Sequence, residues 1–137
     1  YQIVTERLKK DGIVIVQSGS ASISENDVFT SICNTLNKVF PHVFPYVTYI
    51  PSYALPWGFC MATHNPSNLD IPGEEIDARI NAKITGNLRF YDSITHHSLF
   101  NLPKYLRTDI QRQRRIIQDK DPLMEHYPGI SVESTTP

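Results

Sequence analysis

The chain has 137 residues and is poor in several residue types, and each scarcity excludes a class of protein. Its two cysteines, Cys33 and Cys60, lie within apolar runs, which favours small core residues in a reducing compartment over a disulfide framework. The six glycines are scattered singly, so no glycine-rich loop is present to cradle a phosphate. No apolar run has the length of a membrane span, and we expect no membrane partner.

Charge and catalytic motifs are equally sparse. The net charge is −1, and the basic stretch over residues 107–120 has no interleaved aromatics, so we expect a solvated helix face and no nucleic-acid partner. The five histidines have no metal-ligand spacing, and no G-x-S-x-G elbow is present. The adjacent pair His96 and His97 cannot face one point on a helix, so one packed and one exposed ring is expected. We therefore predict neither a metal site nor a catalytic residue within this chain.

What the chain does contain is an alternation of helical and strand patterns. A helix whose last turn is basic, with Gly12 just past its end, precedes the apolar run 13–16. That run is typical of a central strand buried on both faces. A helical stripe follows over 28–40, and two strand-like segments, 43–50 and 57–63, are too close for a crossover helix and should pair antiparallel. Further helices are expected over 74–84 and 104–118, with a short strand or an extended segment at 88–91. The pattern predicts the closing half of a mixed α/β sheet.

The most informative segment is the corner between the two paired strands. Pro51 and Pro56 stiffen it, and it presents Tyr53 and Trp57 as flat rings that each carry one polar group. Such a corner is a good wall for a small ligand. The alternative is an ordinary loop whose rings plug the core.

Gln17 is a second candidate, because it ends the apolar run over 13–16. In an open α/β sheet, ligands bind beyond the carboxyl ends of parallel strands, so Gln17 lies at a binding position if its strand is parallel. The alternative is a polar strand end with no ligand.

Three segments together resemble the spermidine synthase family, the polyamine aminopropyltransferases. They are the helix, turn and strand from Tyr1 to Gln17; the motif Ile50-Pro51-Ser52-Tyr53 with Trp57-Gly58-Phe59; and Leu88 to Asp92 with His96, Phe100 and Pro103. Order and spacing agree over about residues 1–106. The resemblance implies the C-terminal half of a Rossmann-like class I methyltransferase-type sheet, with an antiparallel final strand pair.

The resemblance also implies a reaction. Family members transfer an aminopropyl group from decarboxylated S-adenosylmethionine, a co-substrate and not a bound cofactor, to a diamine such as putrescine. The products are spermidine and methylthioadenosine. Gln17 and Tyr53 would line the diamine end, and Trp57 would flank its methylenes. A cytoplasmic homodimer or homotetramer is expected, with residues 1–118 as the C-terminal part of the catalytic domain and 119–137 as an irregular tail.

The chain departs from the family pattern in ways that leave alternatives open. The nucleotide loop, the ribose-binding acid and the D-x-x-D catalytic motif would precede Tyr1, so we expect further polypeptide there and no activity from this chain alone. The segment 54–56 replaces the family's commoner Pro-Ser/Thr-Gly, so putrescine, a longer diamine, agmatine and spermidine all remain possible acceptors. A non-catalytic diamine-binding or oligomerisation fragment, or another transferase of the same fold, is also open.

Overall fold

A computed structural model describes residues 1–68 and 71–123. In chain order the elements are α1 (Gln2–Arg7), β1 (Ile13–Ser20), α2 (Asp27–Leu36), β2 (His42–Ile50), β3 (Leu55–Thr63), a 3₁₀ turn (Pro66–Asn68), α3 (Gly73–Lys83), α4 (Ser93–Phe100) and α5 (Lys104–Arg112). None of the described helices is long and apolar enough to cross a bilayer.

The three strands form one sheet in the order β1-β3-β2, and both neighbour pairs are antiparallel. The predicted antiparallel pairing of β2 with β3 is confirmed, with Ile50 opposite Leu55 at the turn and His42 opposite Thr63 at the far end. Pro45 lies inside β2, where a missing N–H is tolerated because β2 is an edge strand.

One face of the sheet packs against α2 and forms the core. The buried apolar residues of this core are Ala21, Phe29, Cys33, Leu36, Phe40, Cys60, Ala62, Leu102 and Leu106. Gly58 lets the helix approach β3, because a Cβ at this position would lie 2.5 Å from Cδ2 of Phe29. The two cysteines are free and buried, as predicted, and α5 closes the layer with Tyr105 Oη donating to the Ala21 carbonyl at 2.6 Å.

The opposite face of the sheet is partly covered. Helix α4 packs on β2, where the rings of Phe100 and Tyr46 lie 5.2 Å apart. Helix α3 packs on α4, and Asp77 accepts hydrogen bonds from the backbone N–H and the hydroxyl of Ser93 at 2.9 and 2.7 Å. Beside β1 this face is open, with Ile15 53% exposed.

Several sequence predictions differ from the structure. The strand over 13–16 was expected to be a central strand buried on both faces, but β1 is an edge strand of the described sheet. Its pairing with β3 is antiparallel. Residues 88–91 form no strand, helix α4 was not predicted, and α5 ends at Arg112 instead of near 118. Of the predicted tail, residues 124–137 lie outside the described residues.

Candidate functional site

The corner that carries Tyr53 is a tight four-residue turn over 51–54. The Tyr53 N–H donates to the Ile50 carbonyl at 3.0 Å, and the Ala54 N–H donates to the Pro51 carbonyl at 3.2 Å. Ala54 has φ +53°, a left-handed conformation that is uncommon for residues other than glycine. The paired strands on both sides hold the turn in this conformation and leave the side chain of Tyr53 47% exposed at its tip.

Tyr53 and Trp57 are in direct ring contact. Their centroids lie 4.3 Å apart and their planes are inclined by 40°. The indole Nε1 of Trp57 is buried and has no hydrogen-bond partner within residues 1–68 and 71–123. A buried donor without an acceptor costs about 1–3 kcal/mol, so an acceptor brought to this corner would be favourable.

Gln17 lies on the same face of the sheet as this corner. It is exposed and stands directly opposite Phe59, and Phe59 is two residues from Trp57 along β3. Directly paired residues, and residues two apart on one strand, share a face. The register shifts between Gln17 and Ser20, where Gly19 has φ +84°. The sheet therefore gathers the three predicted residues on one side without a parallel strand.

Sequence reasoning missed a set of rings that continues from Gln17 across the sheet. Phe59 stacks on Tyr46, with centroids 5.2 Å apart and planes inclined by 13°, and Tyr46 contacts Phe100 of α4. We call Phe59, Tyr46 and Phe100 the aromatic row. The signal was present in the sequence, because a four-residue turn over 51–54 fixes Tyr46 opposite Phe59 in the hairpin register.

The far end of the aromatic row is held by a hydrogen-bonded pair. Tyr91 Oη lies 2.7 Å from His96 Nδ1, and the His96 ring is 5.1 Å from that of Phe100. Burial raises the pKa of Tyr91, so its hydroxyl stays protonated and can donate to this nitrogen. Burial, and then the charge of His97, lower the pKa of His96 from its usual 6.5. His97 itself is exposed, in agreement with one packed and one exposed ring.

The strands that form this face carry no permanently charged side chain. The strands β1, β2 and β3 contain no Asp, Glu, Lys or Arg. Burial, followed by the nearby Cys60 and Tyr91, raises the pKa of Tyr46, which therefore keeps its proton. A cation on this face meets ring faces and neutral oxygens, and no group on the strands can act as a carboxylate base.

Other concave surfaces of the chain are separate from this face. A cavity of about 490 Å³ lies between Tyr1, Val39 and residues 116–119, and a second of about 490 Å³ lies between residues 23–27 and α5. Neither cavity is lined by Gln17, Tyr53 or Trp57. Within the described part of the chain, no three His, Cys, Asp or Glu residues are grouped as metal ligands.

Comparison with known sequences gives a consistent result. The model of the spermine/spermidine synthase domain matches residues 1–71. The polyamine aminopropyltransferase of Sulfolobus acidocaldarius is 37% identical over 125 residues, which cover 90% of this chain and 40% of the relative. The thermospermine synthase of Arabidopsis thaliana is 30% identical over 133 residues, covering 96% of this chain and 39% of the relative. The chain thus spans about 40% of the length of these relatives.

Solved structures share the fold. A spermidine synthase from Thermotoga maritima superposes with a TM-score of 0.68 at 20% identity, covering 82% of this chain and 39% of that one. A spermidine synthase in complex with the transition-state analogue AdoDATO gives a TM-score of 0.66 at 22% identity, covering 82% of this chain and 37% of that one. The predicted family resemblance and the predicted class I methyltransferase-type fold are confirmed.

Proposed function

Because the chain belongs to the spermine/spermidine synthase family, we propose that it supplies the amine-binding wall of a polyamine aminopropyltransferase. The reaction is the transfer of an aminopropyl group from decarboxylated S-adenosylmethionine to an amine. A neutral amine nitrogen attacks the carbon beside the sulfonium, so that a C–N bond forms and a C–S bond breaks. With putrescine as acceptor, the products are spermidine and methylthioadenosine.

The observation that carries the proposal is the presence of Gln17, Tyr53 and Trp57 on one face of a sheet whose strands carry no Asp, Glu, Lys or Arg. An amide or phenol oxygen accepts a hydrogen bond from an ammonium without adding charge. The indole ring gives the methylenes an apolar surface and attracts a cation. Such groups hold a flexible amine in the orientation that attack on the carbon requires, and this orientation is the main contribution that the amine side makes to a displacement reaction.

The same face also limits what this chain contributes. An attacking ammonium must first lose a proton, and the strands carry no carboxylate to accept it. Strand β1 is paired on one side only within the described sheet, and two of its own residues, Ile13 and Ile15, are exposed. An unpaired edge with apolar neighbours is suited to receive a further strand. We infer that the catalytic carboxylate and the nucleoside site come from polypeptide that continues this sheet.

The proposal is tested first by binding. Calorimetric titration with putrescine and with spermidine should detect an affinity that Tyr53→Ala lowers about tenfold, because the turn then loses its ring and its hydroxyl. Tyr49→Ala is the matched control. Tyr49 is in the same hairpin and is 60% exposed, but it lies on the other face of β2. Equal losses in both variants, or no amine binding by the wild-type protein, would contradict the proposal.

The second test distinguishes the enzyme from its alternatives. Protein expressed from the complete gene is incubated with decarboxylated S-adenosylmethionine and an amine, and methylthioadenosine is measured by mass spectrometry. Its formation supports an aminopropyltransferase. Amine binding without methylthioadenosine favours a non-catalytic binding or oligomerisation module, which light scattering would test as a dimer or tetramer. Transfer without methylthioadenosine would indicate another transferase of this fold.

A further inference from the structure

Helix α5 is linked to the hairpin corner through the loop that follows β1. The Tyr105 hydroxyl donates to the Ala21 carbonyl at 2.6 Å, and the Ala21 N–H donates to the Pro56 carbonyl at 2.9 Å. Ala21 is fully buried, so both of its backbone groups need partners within the protein. Pro56 directly precedes Trp57 in β3. Two hydrogen bonds through one buried residue therefore connect α5 with the backbone beside Trp57.

This link lies where the pairing of β1 with β3 is irregular. The register shifts between Gln17 and Ser20, and the pair nearest the turn is Ser20 opposite Trp57. The hydrogen bond from Ala21 to Pro56 lies one residue nearer the turn than that pair. A register shift disrupts the ladder of hydrogen bonds. The bond at Ala21 therefore carries more of the attachment between this end of β3 and the neighbouring chain.

The peptide unit between Pro56 and Trp57 transmits this attachment to the indole. A peptide unit is planar, so a fixed Pro56 carbonyl also fixes the Trp57 nitrogen and the start of that residue. The Tyr53 ring contacts the indole, with centroids 4.3 Å apart, so a displaced indole would also lose its present contact with Tyr53. A shift of Ala21 would therefore change how the corner presents both rings.

Tyr105 is suited to hold Ala21 in one place. The Tyr105 ring packs against the buried core, which limits the movement of its hydroxyl. Burial, and then the charge of Asp109, raise the pKa of Tyr105, so the hydroxyl keeps its proton and donates at neutral pH. Asp109, one turn further along α5, accepts a hydrogen bond from Asn26 Nδ2 at 3.0 Å. Helix α5 thus holds the loop over 21–26 at both of its ends.

We propose that Tyr105 is a positioning residue of the amine site, because it holds the hairpin corner through Ala21 and Pro56. This inference rests on the proposed function, and it adds a residue of α5 to that site. Tyr105 acts through these backbone groups and not by contact with the amine. Loss of its hydroxyl should let the corner shift and so weaken amine binding, while the ring keeps its place against the core.

The test uses Tyr105→Phe in the protein expressed from its complete gene. Calorimetric titration with putrescine and with spermidine should show affinities about threefold lower than those of the wild-type protein, since residues coupled through a backbone shift depend on one another. Urea denaturation of the same variant reports how far the loss of the hydroxyl also lowers stability.

Thr35→Val is the matched control, because it also removes a hydroxyl that bonds to buried backbone. Thr35 is buried on α2, and its hydroxyl donates to the Ser31 carbonyl at 2.7 Å and accepts from the Ile117 N–H at 3.0 Å. Urea denaturation should show that Thr35→Val is destabilised, while calorimetry should show that it binds both amines as the wild-type protein does. This control separates a loss of stability from a loss of positioning.

A spectroscopic signal shows whether the effect reaches the corner. Trp57 is the single tryptophan of this chain, and fluorotryptophan incorporated there gives a fluorine NMR resonance that Trp57→Phe identifies by its loss. Tyr105→Phe should shift this resonance, and Thr35→Val should leave it at the wild-type position.

Three results would overturn this inference alone: wild-type affinity in Tyr105→Phe, an equal loss of affinity in Thr35→Val, or a loss in Tyr105→Phe without a shift of the Trp57 resonance. If neither amine binds to the wild-type protein, the proposed function fails, and this inference with it.

Discussion

The two faces of the sheet differ in what their side chains accomplish. Toward α2, strand β3 presents the small residues Gly58, Cys60 and Ala62, and the large ring of Phe29 fills the space above them. Toward the other side, the same strand presents Trp57 and Phe59, which are covered only in part. The core face of β3 therefore contributes to stability, and its opposite face is available for ligand contact. The size and burial of alternate residues along β3 thus separate the two tasks.

The largest change in stability is expected on the core side of the sheet. Phe29→Ala should lower the free energy of unfolding by about 3–5 kcal/mol, because it empties a fully buried site between α2 and β3. Urea denaturation measures the change. Amine affinity per folded molecule should stay the same, since Phe29 lies on the face away from Gln17 and Tyr53.

Tyr53→Ala is the reciprocal variant. The Tyr53 side chain is half-exposed, so the free energy of unfolding should change by less than about 1 kcal/mol while the amine affinity falls about tenfold. A Phe29→Ala variant that stays as stable as the wild-type protein, or a Tyr53→Ala variant that unfolds, would show that the two faces are not divided in this way.

Much of this division could be predicted from sequence, and the reasons are local. Alternation along 55–63 and the short turn over 51–54 predict a hairpin, and the two prolines predict its rigid corner. Helix α2 follows from a stripe of apolar residues that matches its core face. These patterns depend on neighbours in the chain, which the sequence displays directly.

The parts that failed depend on distant contacts. The apolar run over 13–16 indicates burial on both faces. The run alone does not show which distant elements pack against those faces. Helix α4 has no stripe of apolar residues at helical spacing. Its position is set by contacts with Asp77 of α3 and with the ring of Tyr46. The pairing of Gln17 with Phe59 arises from an antiparallel register between residues 42 positions apart in the chain, which the local pattern around Gln17 does not specify.

A smaller effect concerns the turn that presents Tyr53. Ala54→Gly should raise the free energy of unfolding by about 0.5 kcal/mol, because the left-handed φ of Ala54 costs about 1–2 kcal/mol and the added freedom of glycine in the unfolded chain offsets part of the gain. Thermal denaturation measures it. Ala78→Gly is the matched control, since Ala78 is exposed within α3, and there glycine should cost about 1 kcal/mol. Destabilisation by both variants would mean that Ala54 carries no strain.

The smallest change in stability is expected on the ligand side, from His96, and it depends on pH. The pKa of His96 is lowered in the folded protein, first by burial and then by His97, whereas the unfolded chain has a pKa near 6.5. As pH falls below 6.5, the unfolded state takes up its proton first, so His96 contributes stability at higher pH that is lost as pH drops through its folded pKa. Solvent screens this contribution, because the ring is partly exposed.

Comparison of the wild-type protein with His96→Gln isolates this contribution from the other histidines. Urea denaturation at pH values of about 8 and about 5 should show a larger loss of stability for the wild-type protein on acidification. His97→Gln is the matched control, because His97 is exposed on the same helix, and it should retain most of the wild-type loss. Equal pH dependence in the wild-type protein and His96→Gln would mean that the Tyr91–His96 pair does not favour the neutral ring. The support that this pair gives to the aromatic row would then be independent of pH.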